Sequence, residues 1–513
     1  MTQARIGIDV GGTNTDAVVM RAGEVAACAK VPTTADVTSG IVAALEEVLR
    51  LVDGPVAAVM IGTTQFTNAV VERSGLEPVA VVRLGAPATE SLPPLVDWPE
   101  SLARSILSEA WILPGGHEFD GRELTPLSEP DLRRAARAIR SAGSRSVAVS
   151  AVFSPIDPSS ELRAAAILSE ELPGADISLS HLVGGRLGLL ERENATVLNA
   201  ALLRLGRETI ERFERSATEA GIDAPLYLTQ NDGTLMSAGY AARHPVTTFA
   251  SGPANSIRGA AYLSGIQDGF VVDVGGTTTD VGALVHGFPR QAALGVEVGG
   301  VRTNFRMPDL YSIGLGGGSV VDFDPPRVGP RSVGYRITEE ALSFGGKTLT
   351  ATDVAVALGR ARVGDVWPAV QVERGDLESA LRTIDLTLEA AVDRMRTRAG
   401  AAPVVAVGGG SFLVPDDLPG AAEVIRPPHA SVANAVGAAI AQVSGEVDRI
   451  VSLDGVTREQ AMQRCRQEAV ARAEQAGAAA GSAAIVDQEE VPLAYLPSNA
   501  IRVRMKAVGD VPL

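Results

Sequence analysis

Short apolar runs alternate with amphipathic stretches along most of the chain. Runs such as "RIGIDV", "AAVMIG" and "SVAVSAVF" end at glycine or polar turns, which is typical of buried strands. Between these runs, apolar residues recur at helical spacing, as at Ile41, Leu45 and Val48. This alternation of strands with helices predicts an α/β fold.

The same periodicity places individual elements. Predicted helices cover residues 38–51, 129–142, 159–171, 192–221, 376–398 and 431–444, and predicted strands include 79–84 and 146–153. The segment 86–125 is richer in proline and less periodic, so we interpret it as an insertion or loop. After about residue 446, an alanine-rich helix and two strands around a Pro-Ser-Asn turn predict a small appended unit.

Composition narrows the classes of function. The 513 residues suffice for two or three domains, and 46% hydrophobic content is ordinary for a globular protein. The net charge of −16 disfavours a nucleic-acid partner, because an acidic chain repels phosphate backbones. Two cysteines, Cys28 and Cys465, cannot build a disulfide framework or a cysteine-based zinc site, and the five histidines show no metal-ligand spacing. The sequence shows neither a leader pattern nor a membrane-length apolar run, so we expect a cytoplasmic protein.

The feature that points to chemistry is a loop written twice. "IGIDVGGTNTDAVV" at 6–19 returns as "FVVDVGGTTTDVGA" at 270–283, and over the eight positions that start at Asp9 and Asp273 only Asn14 against Thr278 differs. Glycine lets main-chain N–H groups approach an anion, threonine hydroxyls add donors, and successive N–H groups form an anion-binding concavity. An aspartate at the strand end can hold Mg²⁺, which bridges to phosphate. Two such loops facing each other predict an ATP site between duplicated halves.

Two further glycine runs are candidates for the same site. Gly408–Gly410 follow a strand and would approach the nucleoside, unless they form only a tight strand-to-helix turn. The run "SIGLGGGS" at 312–319 belongs either to the active site or to a connection near the hinge.

Several stretches together resemble the hydantoinase/oxoprolinase family, and the resemblance covers nearly the whole chain. Beyond the repeated loop, the most specific stretches are "GTTQFTNAVVERSG" (62–75), "SGPANS" (251–256), "DLYSIGLGGGS" (309–319), "VGPRSVG" (328–334) and "VANAVGAAIAQVSGEV" (432–447). The resemblance implies two duplicated actin-like (ribonuclease H-like) domains around a nucleotide cleft, plus a small C-terminal appendage. The implied division is 1–185 with the insertion near 86–125, then 186–446, then 447–513.

The resemblance also implies a function, which is the ATP-dependent opening of a cyclic amide such as a hydantoin, 5-oxoproline or a lactam. ATP and Mg²⁺ are the implied cofactors, and phosphorylation of the amide oxygen is the implied activation. A second, hydantoinase B-like subunit and an oligomeric assembly are the implied partners. The alternatives are a small-molecule kinase of the same superfold, the ATP-using subunit of a carboxylase, and a nucleotide-gated switch.

Site residues are carried over position by position. The implied phosphate-binding residues are Gly11, Gly12, Thr13, Asn14 and Thr15 in the first loop and Gly275, Gly276, Thr277, Thr278 and Thr279 in the second. Asp9 and Asp273 are predicted to place Mg²⁺ and water, and Asp16 and Asp280 to hold backbone N–H groups of the loops. The substrate-side candidates are Thr63, Thr64, Asn68, Asp309 and His181. The alternative for Asn68 is a helix cap, and for His181 a hydrogen-bonded or surface histidine.

The chain departs from the family pattern on the substrate side. Longer relatives carry "PGPACYG" where this chain reads "GYRITEEALSFGG", so the cysteine and the prolines of that segment are absent. Family members often have histidine at the position of Tyr311 and asparagine at that of Ala355. The ATP half therefore matches the pattern more closely than the amide half.

Overall fold

The computed structural model describes residues 4–11, 14–32, 37–51, 54–183, 187–292, 295–323, 326–364, 372–493 and 499–512. Two predicted phosphate-binding residues, Gly12 and Thr13, lie outside the described residues. In the first part of the chain, the elements are β1 (Ala4–Val10), β2 (Asn14–Arg21), β3 (Glu24–Pro32), α1 (Val37–Leu51), β4 (Val56–Thr63), α2 (Gln65–Glu72), β5 (Val79–Ala86), α3 (Glu100–Ile106), β6 (Leu107–Pro114), α4 (Glu129–Ala142), β7 (Ser146–Ala151), α5 (Ser159–Glu171), β8 (Asp176–Leu179) and α6 (Ser180–Val183).

The middle of the chain begins with a long helix and continues into the second copy of the repeated loop. Its elements are α7 (Leu189–Glu219), β9 (Leu226–Thr229), β10 (Leu235–Ser237), α8 (Ala238–Arg243), α9 (Ser251–Ser264), β11 (Gly269–Val274), β12 (Thr279–Val285), β13 (Phe288–Pro289), β14 (Val296–Val298), β15 (Val301–Thr303), β16 (Leu310–Ile313), β17 (Ser319–Phe323) and β18 (Pro326–Ser332). The remaining elements are α10 (Ile337–Glu340), α11 (Ala351–Ala357), α12 (Arg374–Arg394), β19 (Ala402–Val407), β20 (Ala421–Ile425), α13 (Ala433–Ile440), β21 (Val443–Val451), α14 (Arg458–Gln475), β22 (Ala484–Pro492) and β23 (Ile501–Gly509).

Two sheets carry the repeated loop, and they have the same core. One has the order β22-β23-β21-β10-β9-β4-β1-β2-β3, and the other has β13-β12-β11-β19-β20, with β16 also on β12. In the segment β9-β4-β1-β2-β3 the first three strands are parallel and the last two alternate. The segment β20-β19-β11-β12-β16 has the same strand senses. The predicted α/β class with two related halves is therefore confirmed.

Two small-residue helices, α9 and α13, join the sheets. Apolar residues of α9 pack on the second sheet beside Val271 and Val405, while those of α13 pack on the first sheet beside Val18. The helices meet almost backbone to backbone. A Cβ added to Gly259 would lie 1.8 Å from the carbonyl oxygen of Ala433, far inside any real contact. Glycine is required here because the main chain of α13 occupies the space that any side chain would need.

Two sequence predictions about element type were wrong in part. The segment 86–125 contains α3 and β6, and β6 pairs in parallel with β5 in the four-stranded sheet β6-β5-β7-β8. The helix predicted over 431–444 ends at Ile440, because β21 starts at Val443 and pairs with β10 and β23. Pairing with neighbouring strands satisfies the backbone N–H and C=O groups of both segments, and a weak local sequence pattern does not reveal that pairing.

The C-terminal segment extends the first sheet. Strands β22 and β23 pair with each other, and β23 pairs with β21. Helix α14 covers these strands with a buried stripe at Cys465, Ala469 and Ala473. An isolated two-stranded hairpin is marginal in water, so its attachment to a large sheet stabilises it. The proposed division at residues 185 and 446 stays a prediction.

We predict that Gly259→Ala destabilises the protein. The new methyl group would collide with the backbone of α13, and such overpacking costs roughly 1–3 kcal/mol. Denaturant unfolding measures this loss. The matched control is Gly375→Ala on the exposed start of α12, where a Cβ meets nothing within 4 Å. The control should leave stability unchanged or raise it by up to ~1 kcal/mol. Equal stability changes in the two variants would contradict the close crossing.

Candidate active site between the glycine hairpins

The repeated sequence forms a repeated hairpin. Asp9 lies opposite Asp16 across β1 and β2, and Asp273 lies opposite Asp280 across β11 and β12. The N–H of Gly11 donates to the carbonyl of Asn14 at 3.0 Å, and the N–H of Gly275 donates to the carbonyl of Thr278 at 2.9 Å. Equivalent positions therefore close both turns with the same backbone hydrogen bond, although Asn14 and Thr278 are the one pair of residues that differs between the loops.

Both hairpins line one cavity of about 420 Å³. The first contributes Gly11, Asn14 and Asp16, and the second contributes Asp273 and the residues 275–278. The rest of the wall comes from β3, from the glycine run after β19, from the turn after β18, from α9, and from α13 with the turn that precedes it. Those residues are Lys30, Ser256, Gly334, Tyr335, Gly408, Gly409, Ser431, Ala433 and Asn434.

The run "SIGLGGGS" supports the second hairpin from behind. The N–H groups of Gly317 and Gly318 donate to the carbonyls of Gly275 and Gly276 at 3.0 and 2.7 Å. Within one planar trans peptide, the C=O and the N–H point in opposite directions. The N–H groups of Gly276 and Thr277 therefore point away from this support. This arrangement leaves them free to serve as donors to an anion.

The third glycine run lies against the end of β11. Gly408 has φ +85°, and a Cβ there would lie 2.3 Å from Oδ1 of Asp273. Gly410 donates its N–H to the carbonyl of Val274 at 2.8 Å. Gly408 and Gly409 line the cavity, whereas Gly410 faces the hairpin. Of the three glycines predicted to contact the nucleoside, Gly408 and Gly409 are therefore positioned to do so.

Helix α9 contacts the first aspartate of each hairpin through two consecutive residues. Asn255 hydrogen bonds to Asp9, and it also donates to Oγ1 of Thr229 at 3.1 Å. Ser256 hydrogen bonds to Asp273. From α13, Nδ2 of Asn434 donates to Oδ2 of Asp9 at 2.9 Å. Asn255, Ser256 and Asn434 lie in stretches that resemble the family, but their contacts with the aspartates were not predicted, because no local pattern reveals a partner from another part of the chain.

Burial and neighbouring carboxylates shift the titration of both aspartates. Burial, and then the charge of Asp16, raise the pKa of Asp9 to about 7 against the hydrogen bonds from Asn434 and Asn255. Burial raises the pKa of Asp273 to about 6, opposed by the hydrogen bond from Ser256 and assisted by Asp280 and Asp16. Such a crowd of carboxylates would be stabilised by a cation.

A lysine also lines the cavity. Lys30 lies opposite Asp16 in the β2–β3 register, and its Nζ is 2.5 Å from Oδ1 of Asp16. Lys30 was not among the predicted site residues, although the hairpin of β2 and β3 could have indicated this pairing. Asp16 and Asp280 were predicted to hold backbone N–H groups. The described contacts are instead with Lys30 and, for Asp280, with the hydroxyl of Ser312.

Two predicted threonines are placed away from the cavity. Thr15 and Thr279 occupy equivalent positions, and both side chains are fully buried. Oγ1 of Thr279 donates to the carbonyl of Leu315 at 2.6 Å, which ties β12 to the connection that supports the hairpin. Neither residue is among those that line the cavity.

The substrate-side candidates are scattered. Thr63 ends β4 beside Val10, and a Cβ on Gly252 would lie 3.9 Å from both the Thr64 side chain and Oδ1 of Asp9. These two threonines therefore lie next to the first hairpin, behind the cavity wall. Asn68 is the fourth residue of α2 and is exposed, so it is not the helix cap; Thr64 precedes that helix.

Asp309 and His181 lie outside the cavity lining. Oδ2 of Asp309 pairs with Nη2 of Arg290 at 2.8 Å. Nδ1 of His181 is 2.6 Å from Oε2 of the buried Glu161. The structure thus brings together the glycine hairpins and the two first aspartates, but not the whole set of predicted residues.

The donor set suits a magnesium ion held mainly through phosphate and water. Within the described ranges, no group of three or more His, Cys, Asp or Glu side chains could hold a metal alone. Mg²⁺ in nucleotide sites commonly uses one or two carboxylates, substrate phosphates and several waters. Asp273 lines the cavity and could contact such an ion directly, whereas Asp9 does not line the cavity and would act on the ion through water and Asn434.

Comparison with known proteins identifies the family. The model of the hydantoinase/oxoprolinase N-terminal region matches residues 5–172, and the model of hydantoinase/oxoprolinase matches residues 192–366. The chain belongs to the hydantoinase/oxoprolinase family.

Among helices in the part of the chain that the structure describes, none has the length and apolar character needed to cross a membrane.

Two named relatives are longer than this chain. The caprolactamase subunit alpha of Pseudomonas jessenii is 30% identical over 70% of this chain and 54% of its own length. The acetophenone carboxylase gamma subunit of Aromatoleum aromaticum is 29% identical over 69% of this chain and 53% of its own length. The chain thus spans about half the length of these two relatives. A crystal structure of ATP-dependent caprolactamase from Pseudomonas jessenii has the same fold, with a TM-score of 0.76 at 21% identity over 99% of this chain and 88% of that chain.

We predict that Asp9→Asn changes the pH dependence of stability. An acid whose pKa is raised by folding binds its proton more tightly in the folded state. Its favourable contribution is present below the unfolded value and is lost as pH rises from 3.8 to about 7. In urea unfolding without divalent cations, wild type should lose on the order of 3 kcal/mol across this range relative to Asp9→Asn. A difference between the two proteins that stays constant with pH would contradict this expectation.

Proposed function

We propose that this protein uses ATP to activate a cyclic amide for ring opening. The observation that carries the proposal is one cavity lined by both glycine hairpins, with an aspartate at the strand end of each: Asp9 is buried, and Asp273 is half-buried in the cavity wall. About 420 Å³ lies within the range of small-molecule and cofactor pockets, roughly 300–1,000 Å³. The family relationship and the names of its ATP-dependent relatives support the choice of nucleotide.

In this proposal, the hairpins hold the phosphates. The N–H groups of Gly276 and Thr277 are donors at the second hairpin, with the hydroxyls of Thr277 and Thr278 beside them. Asn14 and Lys30 offer an amide and an ammonium group from the first half. Charge-assisted hydrogen bonds to phosphate are about twice as strong as neutral ones. Lys30 would therefore contribute most to phosphate binding if its ammonium group turned from Asp16 toward the phosphate.

Asp9 and Asp273 place the cation and water. Magnesium, when bound, supplies charge neutralisation on the phosphates. Asn255, Ser256 and Asn434 fix the orientation of the two carboxylates from α9 and α13. Because Asp9 is only 5% exposed and Asn434 lies between it and the cavity, Asp9 acts mainly through the positioning of its neighbours and of water.

The reaction balances as two hydrolytic steps driven by one ATP. The amide oxygen attacks the γ-phosphorus, and ADP leaves. Water then adds to the activated carbon, and the ring C–N bond breaks to give an acyl phosphate. A second water releases phosphate and the open-chain acid. The protein contributes mainly position and charge stabilisation to these steps.

A carboxylase subunit is the second candidate function. It is favoured by a relative named as a carboxylase subunit at nearly the same identity as the caprolactamase subunit. Relatives named as subunits also lead us to propose a second chain as a partner. A carboxylase would consume ATP with a ketone and bicarbonate, and cyclic amides would have no effect.

Phosphate release with a panel of cyclic amides tests the substrate class. Hydantoin, 5-oxoproline, 2-pyrrolidone and caprolactam are each assayed with ATP and Mg²⁺, with and without the product of an adjacent gene. We expect at least one to stimulate phosphate release together with the formation of the open-chain acid. Stimulation by ketone plus bicarbonate alone would favour the carboxylase, and a stable phosphorylated product would favour a kinase.

We also predict that Asp9→Asn lowers ATP turnover at least ~100-fold, since a misplacement of reacting groups by about 1 Å can have an effect of this size. The matched control is Asp417→Asn, which removes an exposed carboxylate on the loop after β19. The control should keep wild-type turnover. Near-normal turnover in Asp9→Asn would remove Asp9 from the mechanism, whatever the substrate.

A further inference from the structure

One large aromatic side chain lies on the wall of the cavity between the two glycine hairpins, which we call the hairpin cavity. Tyr335 lines this cavity and is 64% exposed, in the short turn that follows β18. Among the described residues that line the cavity, it is the only aromatic one. The phosphate contacts proposed above use the hairpins and Lys30, so they give the exposed ring no role.

The backbone of this turn is fixed to the second hairpin. The N–H of Val333 donates to the carbonyl of Gly318 at 2.9 Å, and the N–H of Gly318 donates to the carbonyl of Gly276 at 2.7 Å. Oγ of Ser332 also donates to the carbonyl of Gly276, at 3.3 Å, and it accepts from the N–H of Gly334 at 3.1 Å. The tyrosine is thus held at a set position beside the phosphate-binding loop, although its ring is exposed.

Gly334 lets the turn approach the tip of that hairpin. Its φ is +58°, in the left-handed region that favours glycine, and a Cβ there would lie 3.9 Å from Oγ1 of Thr277. Tyr335 is therefore the residue next to a backbone position that touches the hairpin tip. Its ring can reach a molecule whose phosphates are bound at that tip.

The third glycine run lies on the other side of the same hairpin. Strand β19 pairs with β11, and β16 pairs with β12 at the end nearest the turn. Gly408 and Gly409 follow β19, whereas Tyr335 is tied through Gly318 to the segment that follows β16. A Cβ on Gly409 would meet nothing within 4 Å, so its side of the cavity is open. The space above the second hairpin is therefore bordered by glycine on one side and by an aromatic ring on the other.

Polarity divides the hairpin cavity in the same way. The first half lines it with Asn14, Asp16 and Lys30, whereas the walls beside the second hairpin are mainly glycine and Tyr335. A nucleotide is divided likewise, because it has a charged tail and a flat base with two π faces. When the phosphates lie between the hairpins, the base is left for the walls of glycine and tyrosine.

Tyr335 also belongs to the segment in which this chain departs from the family pattern. The departing stretch spans residues 334–346, and its second residue lines the hairpin cavity. The departure therefore reaches the wall where the nucleotide is proposed to bind. A role for this ring is a property of the present chain and is not carried over from its relatives.

We propose that Tyr335 stacks on the base of the bound nucleotide and thereby distinguishes a nucleotide from a free polyphosphate. Stacking on an aromatic side chain strengthens binding without reading the hydrogen-bonding edge of the base. The larger ring system of a purine covers more of the tyrosine than a pyrimidine does, so purine nucleotides should bind more tightly. This inference rests on the proposed nucleotide binding at the hairpins and adds the recognition of the base.

The test is equilibrium binding to the full-length chain in the presence of Mg²⁺, measured by isothermal titration calorimetry. The probes are ADP, CDP and inorganic pyrophosphate, which carries two linked phosphates without a nucleoside. We expect Tyr335→Ala to weaken ADP binding at least ~10-fold, the scale of a lost base–aromatic stack, and to leave pyrophosphate binding unchanged. Wild type should bind ADP more tightly than CDP, and Tyr335→Phe should keep the wild-type Kd because it keeps the ring.

A tryptophan at this position gives a spectroscopic readout. Tyr335→Trp keeps an aromatic face and should bind ADP at least as tightly as wild type does. Stacking of a base on the indole should quench its fluorescence, whereas pyrophosphate should leave the emission unchanged. Wild type, with the three native tryptophans, supplies the background signal.

The matched control is Arg336→Ala. Arg336 is the next residue of the same turn, pairs with Glu340 at 2.7 Å and is not among the residues that line the cavity. This variant should bind ADP and pyrophosphate as wild type does. Because Tyr335 is exposed, Tyr335→Ala should also keep the wild-type unfolding temperature, so misfolding cannot imitate a lost contact.

Two results would overturn the proposal. One is an equal affinity of wild type and Tyr335→Ala for ADP, and the other is an equal loss of ADP and pyrophosphate affinity, which would place the ring at the phosphates. A wild type that binds neither probe would overturn the nucleotide site and the proposed function together. A wild type that shows the Tyr335 effect but releases no phosphate with any cyclic amide would support the stacking and refute only the proposed ring opening.

Discussion

The site depends on how closely two helices approach between the sheets. Gly259 of α9 lies against the backbone of α13, and Gly437 of α13 lies equally close to the backbone at Asn255. No side chain separates the helices at these points, so the distance between the two halves is set by main-chain contact. Interiors of proteins are densely packed and deform little, so this contact fixes the position of one hairpin relative to the other.

The same crossing directs the polar groups. Asn255 and Ser256 follow each other on α9, and neighbouring helical residues point about 100° apart. One side chain can therefore hold Asp9 in the first half while the next holds Asp273 in the second. A change in the angle of this helix would move both carboxylates together. The helix thus supplies a common support to two halves that otherwise belong to different sheets.

Crowding of carboxylates is the electrostatic counterpart of that geometry. Asp9 and Asp273, with pKa values raised to about 7 and about 6, oppose folding at neutral pH, and functional sites commonly carry such unfavourable interactions. Hydrogen bonds from Asn255, Asn434 and Ser256, and the ion pair of Lys30 with Asp16, offset this unfavourable free energy only in part. Such a site is stabilised when a cation and phosphates bind together. The cation neutralises the carboxylates and the phosphates, and the phosphates complete the coordination of the cation.

The sequence by itself determined local features, namely the bounds of single helices and the form of the repeated hairpin. The helices at Glu129–Ala142 and Ser159–Glu171 have the predicted bounds because a continuous apolar stripe specifies them. The repeated loop likewise became two hairpins with the same register, since strand, glycine and aspartate positions are encoded together. Tertiary structure decided the rest: that β6 and the last strands join existing sheets, that Asn434 contacts Asp9, and that Tyr335 lines the hairpin cavity. Burial and hydrogen-bond partners come from residues far apart in the chain, and no local pattern contains them.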